Sequence, residues 1–234
     1  MSSNAIKRIM NKDIKSIYNK NLNELGIHIH FNDDDMLKAN AMVIGPKDTI
    51  YENGILFFNI LFPKNYPYCP PKITYINDNK IRIHPNIYVN GKICLSILGT
   101  WSGPSWSSIY DITDVFIIIQ SLLDNNPINH EPGYENNSKP LVKKISESYN
   151  KIIKYNTINS LILNRYNNIN TLNDTNFHIF KDIIIKHISD NKNDIIKSIN
   201  DNINYKDRII IGLYNININI NYNHLIEKYN NIIK

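Results

Sequence analysis

Cys94, His84 and Asn86 stand close together in the stretch HPNIYVNGKICLSIL, residues 84–98, of a chain that holds only two cysteines. A thiol that follows a turn rich in Gly, Asn and Pro is expected to be partly exposed, and a thiol is a good nucleophile that can carry an acyl group as a thioester. With His84 as base and Asn86 as oxyanion donor the group would be a hydrolase. Hydrolysis, however, needs a base within hydrogen-bond reach of the thiol, itself oriented by a third group. The Pro and the short spacing turn His84 into the turn. Asn86 offers a neutral amide, which suits a developing oxyanion and cannot take a proton. These residue types fit acyl relay better than hydrolysis. Cys69, the other cysteine, lies between Tyr68 and Pro70 and is read as a packed or merely tolerated thiol.

The elements that must position this group are legible as periodicities. Ile6, Ile9, Met10, Ile14, Ile17 and Tyr18 recur at three- and four-residue steps within residues 4–25, with Lys7, Arg8, Lys12 and Lys15 among the rest, which predicts an amphipathic helix with a basic outer surface. Four candidate strands follow at 27–31, 39–45, 55–62 and 72–76, separated by turn formers, and a four-stranded antiparallel meander is the economical reading. Proline-dense FPKNYPYCPPKI cannot enter a sheet interior and predicts a rigid, extended edge after the third strand. Beyond Cys94 comes the loop GTWSGPSWSSIY, whose Trp101 and Trp106 are expected to bury themselves and fix its shape. DITDVFIIIQSLLDN predicts a buried helix capped by Asp111 or Thr113, and another helix is predicted over about 138–155.

From about residue 156 the composition is biased, yet Phe177, Phe180, Ile184, His187 and Ile188 repeat helically, as do Leu225, Ile226, Tyr229, Ile232 and Ile233. Two or three further helices are expected, while NINININY alternates with period two and reads as an edge strand or a connector. Heavy use of Asn, Ile, Lys and Tyr is the imprint of an AT-rich genome, such as that of a protist or a large DNA virus. Two cysteines make neither a disulfide framework nor a zinc site, so a reducing, intracellular setting is expected. The N-terminus is polar, and no run approaches the ~18 apolar residues of a membrane span. The net charge of +5 is spread along the chain beside no recognition motif, so neither nucleic acid nor membrane is expected as a partner.

FPKNYPYCPPKI, HPN, seven further residues, CLSIL, then Trp106 and SLLDNNP resemble, in order and spacing, the core of ubiquitin-conjugating enzymes, the E2 family, over residues 4–155. GTWSGPSW at 99–106 and NPINHEPGYE at 126–135 are similar to the large branch of that family, which handles ubiquitin and the ubiquitin-like modifier FAT10. The resemblance implies an α+β fold: an N-terminal helix, a four-stranded antiparallel meander, the active-site loop and C-terminal helices. It implies a core domain at 1–155 and a helical C-terminal extension at 156–234.

Its implied chemistry follows residue by residue. Cys94 accepts the modifier's C-terminal glycine from an E1 enzyme as a thioester, for transfer to a lysine amine or an E3 cysteine. Asn86 stabilises either the oxyanion or the neighbouring loop, and His84 with Pro85 shapes the turn. Ser96 stands where many E2 enzymes have an aspartate, so Glu131, beside His130 in the exit loop, is the acid that could favour an incoming amine. Lys7, Arg8 and Lys12 match an E1-docking surface, and Tyr68 and Ile109 match E3-contact positions. The implied partners are an E1, ubiquitin or a ubiquitin-like protein, an E3 and protein substrates. No metal or bound cofactor is implied, because the E1 consumes the ATP. The setting is cytoplasmic or nuclear, in the host cell if the source is viral. The alternatives are a non-catalytic module that keeps the fold to bind ubiquitin or a partner, and a Cys–His hydrolase with little support.

Overall fold

The computed structural model describes residues 2–135, 139–170 and 176–233, and the chain divides into two compact units. The first holds residues 1–44, 56–77 and 86–122; the second holds 45–55, 78–85 and 123–234.

In the first unit β1 (Ile27–Phe31), β2 (Lys38–Ile44), β3 (Ile55–Leu61, of which only Ile55 falls outside this unit) and β4 (Lys72–Tyr75) form one sheet in sequence order. The antiparallel meander expected from the alternating runs is therefore present, with Ile27 opposite Val43 and Ile60 opposite Ile73. Short turn-rich separators leave consecutive strands no alternative to pairing with their neighbours. Phe58 meets Tyr75 at 5.6 Å and Phe116 edge-on at 5.6 Å, which packs α3 (Ile112–Ser121) on the sheet. Asp111 is the cap of α3: its carboxylate accepts from the amide of Thr113 at 2.9 Å, and Asp114 returns the bond to the Asp111 amide at 2.9 Å.

The N-terminal helix departs from the single run expected over 4–25. It comprises α1 (Ser2–Arg8), a π-helical turn (Ile9–Asp13) and α2 (Ile14–Asn19). Ala5, Ile9, Asp13 and Ile17 are buried, while Met10 and Tyr18 are exposed. A four-residue step drifts around a regular α-helix, and the wider π turn cancels that drift. It also carries Asp13 inward. Its Oδ1 accepts from the Tyr66 hydroxyl at 2.5 Å and the Ile112 amide at 2.8 Å.

Burial pushes the Asp13 carboxyl above its ordinary pKa, against the pull of those two hydrogen bonds and of Arg8. A folded pKa above the unfolded one contributes stability below the unfolded value, and that contribution is lost as pH rises through the folded value. Asp13→Asn keeps an acceptor for Tyr66 and Ile112 but carries no charge. Its melting temperature is expected to gain on the parent's as pH is raised from the ordinary Asp value of about 3.9 towards neutrality, because a raised carboxyl ionises above that value. A difference that stays flat over that range would contradict the assignment.

The second unit contains α4 (Pro140–Asn156), which continues through a π-helical segment (Thr157–Asn164) into α5 (Arg165–Asn170). The helix expected over 138–155 is thus present, though residue 138 lies outside the described residues. Then come α6 (Lys181–Asp190), α7 (Lys192–Asn200), the antiparallel hairpin of β5 (Lys206–Ile211) and β6 (Ile216–Asn221), and α8 (Tyr222–Ile232). NINININY is a strand rather than a connector. Its partner β5 had no clear signal, because KDRIII does not alternate in hydrophobicity even though Ile209 and Ile211 face inward and Ile210 outward. No helix among the described residues is long and apolar enough to cross a membrane.

Candidate active site

The turn before the cysteine and the cysteine loop hold each other through the main chain. Ile87 and Ile93 form an isolated bridge, and the Cys94 amide donates to the Asn86 carbonyl at 2.8 Å. The side chain of Asn86 returns the bond, its Nδ2 donating to the Cys94 carbonyl at 2.8 Å. Asn86 is thereby fixed through its carbonyl and its side chain, and one of its two amide hydrogens is committed to shaping the loop. Of the two roles left open by the sequence, loop stabilisation is the one visible in this geometry.

Thr100 completes the brace, and nothing in its residue type singled it out. Its Oγ1 accepts from the Leu95 amide at 2.9 Å and donates to the Ile93 carbonyl at 2.6 Å, so one hydroxyl spans the cysteine from both sides. A 3-10 turn (Ser96–Leu98) follows Cys94 and ends on Gly99 in the left-handed region. These bonds draw the loop inward, and Cys94 is 2% exposed. That corrects the expectation of a partly exposed thiol: turn-forming residues near a cysteine do not expose it when the main-chain bonds pull its loop down.

The GTWSGPSW strap lies against Ser96. Gly103 has φ +132, and a Cβ there would stand 2.9 Å from the Cβ of Ser96. Gly103→Ala meets both an unfavourable backbone region and a contact closer than real Cβ atoms allow. It is expected to cost about 1–3 kcal/mol of stability, read as a lowered midpoint in urea denaturation. An unchanged midpoint would contradict this placement of the strap. Trp106 is half-buried and fixes the loop as expected, donating from Nε1 to the Pro67 carbonyl at 2.7 Å and packing at 6.0 Å from Tyr66. Trp101 does not, being 48% exposed.

Tyr68 and Ile109 are exposed, at 82% and 70%. Arg8 donates to the carbonyls of Ser108 at 3.1 Å and Tyr110 at 2.8 Å, and Lys12 to that of Ile109. The first helix therefore braces the loop that presents Ile109, while Lys7 is exposed. Cys69 accepts a hydrogen bond from Asn65 Nδ2 at 3.0 Å, a local role within the proline-rich turn.

In the second unit His84 is fully buried and its ring packs 4.9 Å from that of His130, in keeping with a turn-structural histidine. Pro85 is also buried. Glu131, read from sequence as an acid available to an incoming amine, is engaged otherwise. Its Oε2 accepts from the Tyr214 hydroxyl at 2.6 Å and lies 3.9 Å from the Arg82 guanidinium. The residue that meets it comes from the tip of the β5–β6 hairpin, 83 positions along the chain, so no local pattern could have shown it.

An antiparallel meander with a capped helix packed on it, followed by a thiol held by a reciprocal asparagine, defines a class. The family model for ubiquitin-conjugating enzymes matches residues 9–157, and the chain belongs to that family. Among its relatives, the "Ubiquitin-conjugating enzyme E2 Z" of Danio rerio is 42% identical over 159 residues, covering 67% of this chain and 47% of the relative. The protein of the same name from Homo sapiens is 42% identical over 149 residues, 63% of this chain and 41% of the relative. A "Putative ubiquitin-conjugating enzyme E2 38" of Arabidopsis thaliana is 39% identical over 138 residues, 57% of this chain and 41% of the relative. The chain thus spans less than half the length of these relatives.

Proposed function

We propose that this chain is an E2 ubiquitin-conjugating enzyme. The Cys94 thiolate attacks the thioester carbonyl of a modifier held by an E1, and the E1 thiolate leaves. A lysine amine, or an E3 cysteine, then attacks the new thioester and Cys94 leaves as thiolate, the amine's proton passing to solvent. The observation that carries this reading is the mutual hold of Asn86 and the Cys94 main chain, within the 9–157 stretch that matches the family model. A neutral donor aids acyl transfer without activating water, and so protects the thioester from hydrolysis.

In this reading residues 1–155 are the catalytic core and 156–234 an extension. Lys7, Arg8 and Lys12 face the E1, Tyr68 and Ile109 face an E3, and the modifier is ubiquitin or a ubiquitin-like protein. The reaction as proposed uses no bound metal or cofactor, and its setting is the cytoplasm or nucleus. Glu131, committed to Tyr214 and Arg82, is left out of the chemistry. One observation favours the alternative of a non-catalytic binding module: the 2% exposure of Cys94.

The test is to incubate the chain with E1, ATP and labelled ubiquitin, remove the ATP, and chase with free lysine. The relay predicts a reductant-sensitive adduct that decays to ubiquityl-lysine. Release of free ubiquitin alone would favour a hydrolase, and binding of ubiquitin without an adduct would favour the module.

A further inference from the structure

The β5–β6 hairpin turns through Gly212, Leu213, Tyr214 and Asn215, with Tyr214 at φ +64 and Asn215 at φ +53. The left-handed region is one that glycine and asparagine enter easily and an aromatic residue does not. Gly212 stands two positions earlier in an ordinary right-handed conformation, where glycine is not needed. A bulky side chain is thus held at the position where it is most strained, an outlier that asks for a role. The Tyr214 ring lies over the Arg82 guanidinium, 4.2 Å from its centroid, and meets Tyr149 edge-on at 5.8 Å. Its hydroxyl donates to Glu131 at 2.6 Å.

Arg82 is the centre of this cluster. Its side chain donates to the Pro85 carbonyl, and its own carbonyl accepts from the Tyr149 hydroxyl at 2.5 Å. Pro85 is joined by a peptide bond to Asn86, whose side chain and carbonyl shape the Cys94 loop. A planar guanidinium stacked on an aromatic face loses orientational freedom and can direct its N–H groups at one acceptor, which an ammonium does not do. We propose that Tyr214, at the tip of the C-terminal hairpin, is a positioning residue for acyl transfer: by stacking on Arg82 it fixes the guanidinium that holds the Pro85 carbonyl, and so sets the conformation of the His84–Asn86 turn. The extension then contributes to the chemistry through Arg82. This inference rests on the relay proposed for Cys94.

The test uses the full chain with Tyr214→Ala, Tyr214→Phe and Arg82→Lys, charged once with ubiquitin by E1 and ATP and then chased with free lysine. Tyr214→Ala and Arg82→Lys are each expected to slow discharge at least fivefold while charging stays within twofold. Tyr214→Phe keeps the ring and is expected to discharge within twofold of the parent. Amide exchange over residues 82–88, measured on the uncharged proteins, should rise at least threefold in Tyr214→Ala and stay near the parent rate in Tyr214→Phe. This readout requires no activity and reports the turn directly.

Parent-like discharge by Tyr214→Ala with unchanged exchange would overturn the proposal. Equal impairment of Tyr214→Phe and Tyr214→Ala would also overturn it, placing the effect on the Glu131 bond. A parent chain that takes no ubiquitin from the E1 would instead overturn the proposed function, while the exchange measurement still decides whether Tyr214 orders the turn.

Discussion

Cys94→Ser is expected to form an adduct with ubiquitin that survives reductant, and to pass ubiquitin to lysine at least on the order of 10³-fold more slowly than the parent, well within the roughly 10⁶-fold loss that follows removal of a covalent nucleophile. The alkoxide that would have to leave from a serine ester is a far poorer leaving group than a thiolate, so the relay stalls after its first half. Folding should be unaffected, since the change replaces sulfur by oxygen in a residue whose main chain is held by Asn86 and flanked on both sides by bonds to Thr100. Pulse-chase with labelled ubiquitin checks this. Lysine transfer at the parent rate would remove Cys94 from the mechanism, and the account with it.

The second large effect is expected at Asn86. Its Nδ2 bond to the Cys94 carbonyl is a partly buried hydrogen bond, and losing one of that kind costs about 1 kcal/mol of stability. If that were the whole of its contribution, lysine discharge by Asn86→Ala would fall no more than about tenfold, since 1.36 kcal/mol corresponds to a factor of ten. A donor role towards the developing oxyanion, the other role that the resemblance implies for this residue, would add to that. A donor lost from a developing oxyanion costs about 2.7–4 kcal/mol, or roughly 10²–10³-fold. Asn86→Ala is expected to discharge on the order of 10²-fold more slowly, with charging by E1 much less affected. A fall confined to tenfold would limit Asn86 to bracing the loop.

Much of this was legible in the sequence for physical reasons that can be named. The four strands declared themselves because each is a short run bounded by turn formers and proline, and short connections compel neighbours to pair. Asp111 could be named as a cap because a carboxylate before an apolar run has few other uses. Cys94, Asn86 and His84 could be singled out because the chemistry of a thioester restricts which residue types can stand together, and the structure ties Asn86 to the Cys94 loop and buries His84.

What escaped depended on contacts that sequence proximity does not encode. The π turn that carries Asp13 inward breaks the periodicity from which helical faces are inferred. The burial of Cys94 arises from the reciprocal bonds of Asn86 and the brace of Thr100, whereas turn-rich flanks alone suggested exposure. Glu131 was read as an acid awaiting an amine, yet a tyrosine from a hairpin with no recognisable first strand takes its hydroxyl bond. Tyr68 and Ile109, matched to E3-contact positions by resemblance, are exposed in the structure.

Whether Cys94 carries the modifier as a thioester can be read from intact mass spectrometry of the parent chain after incubation with E1, ATP and ubiquitin. A single added mass of one ubiquitin less water is expected, located on Cys94 and fully removed by a thiol reductant. An unmodified mass with ubiquitin and with the ubiquitin-like modifiers, each offered with its own charged E1, would contradict it.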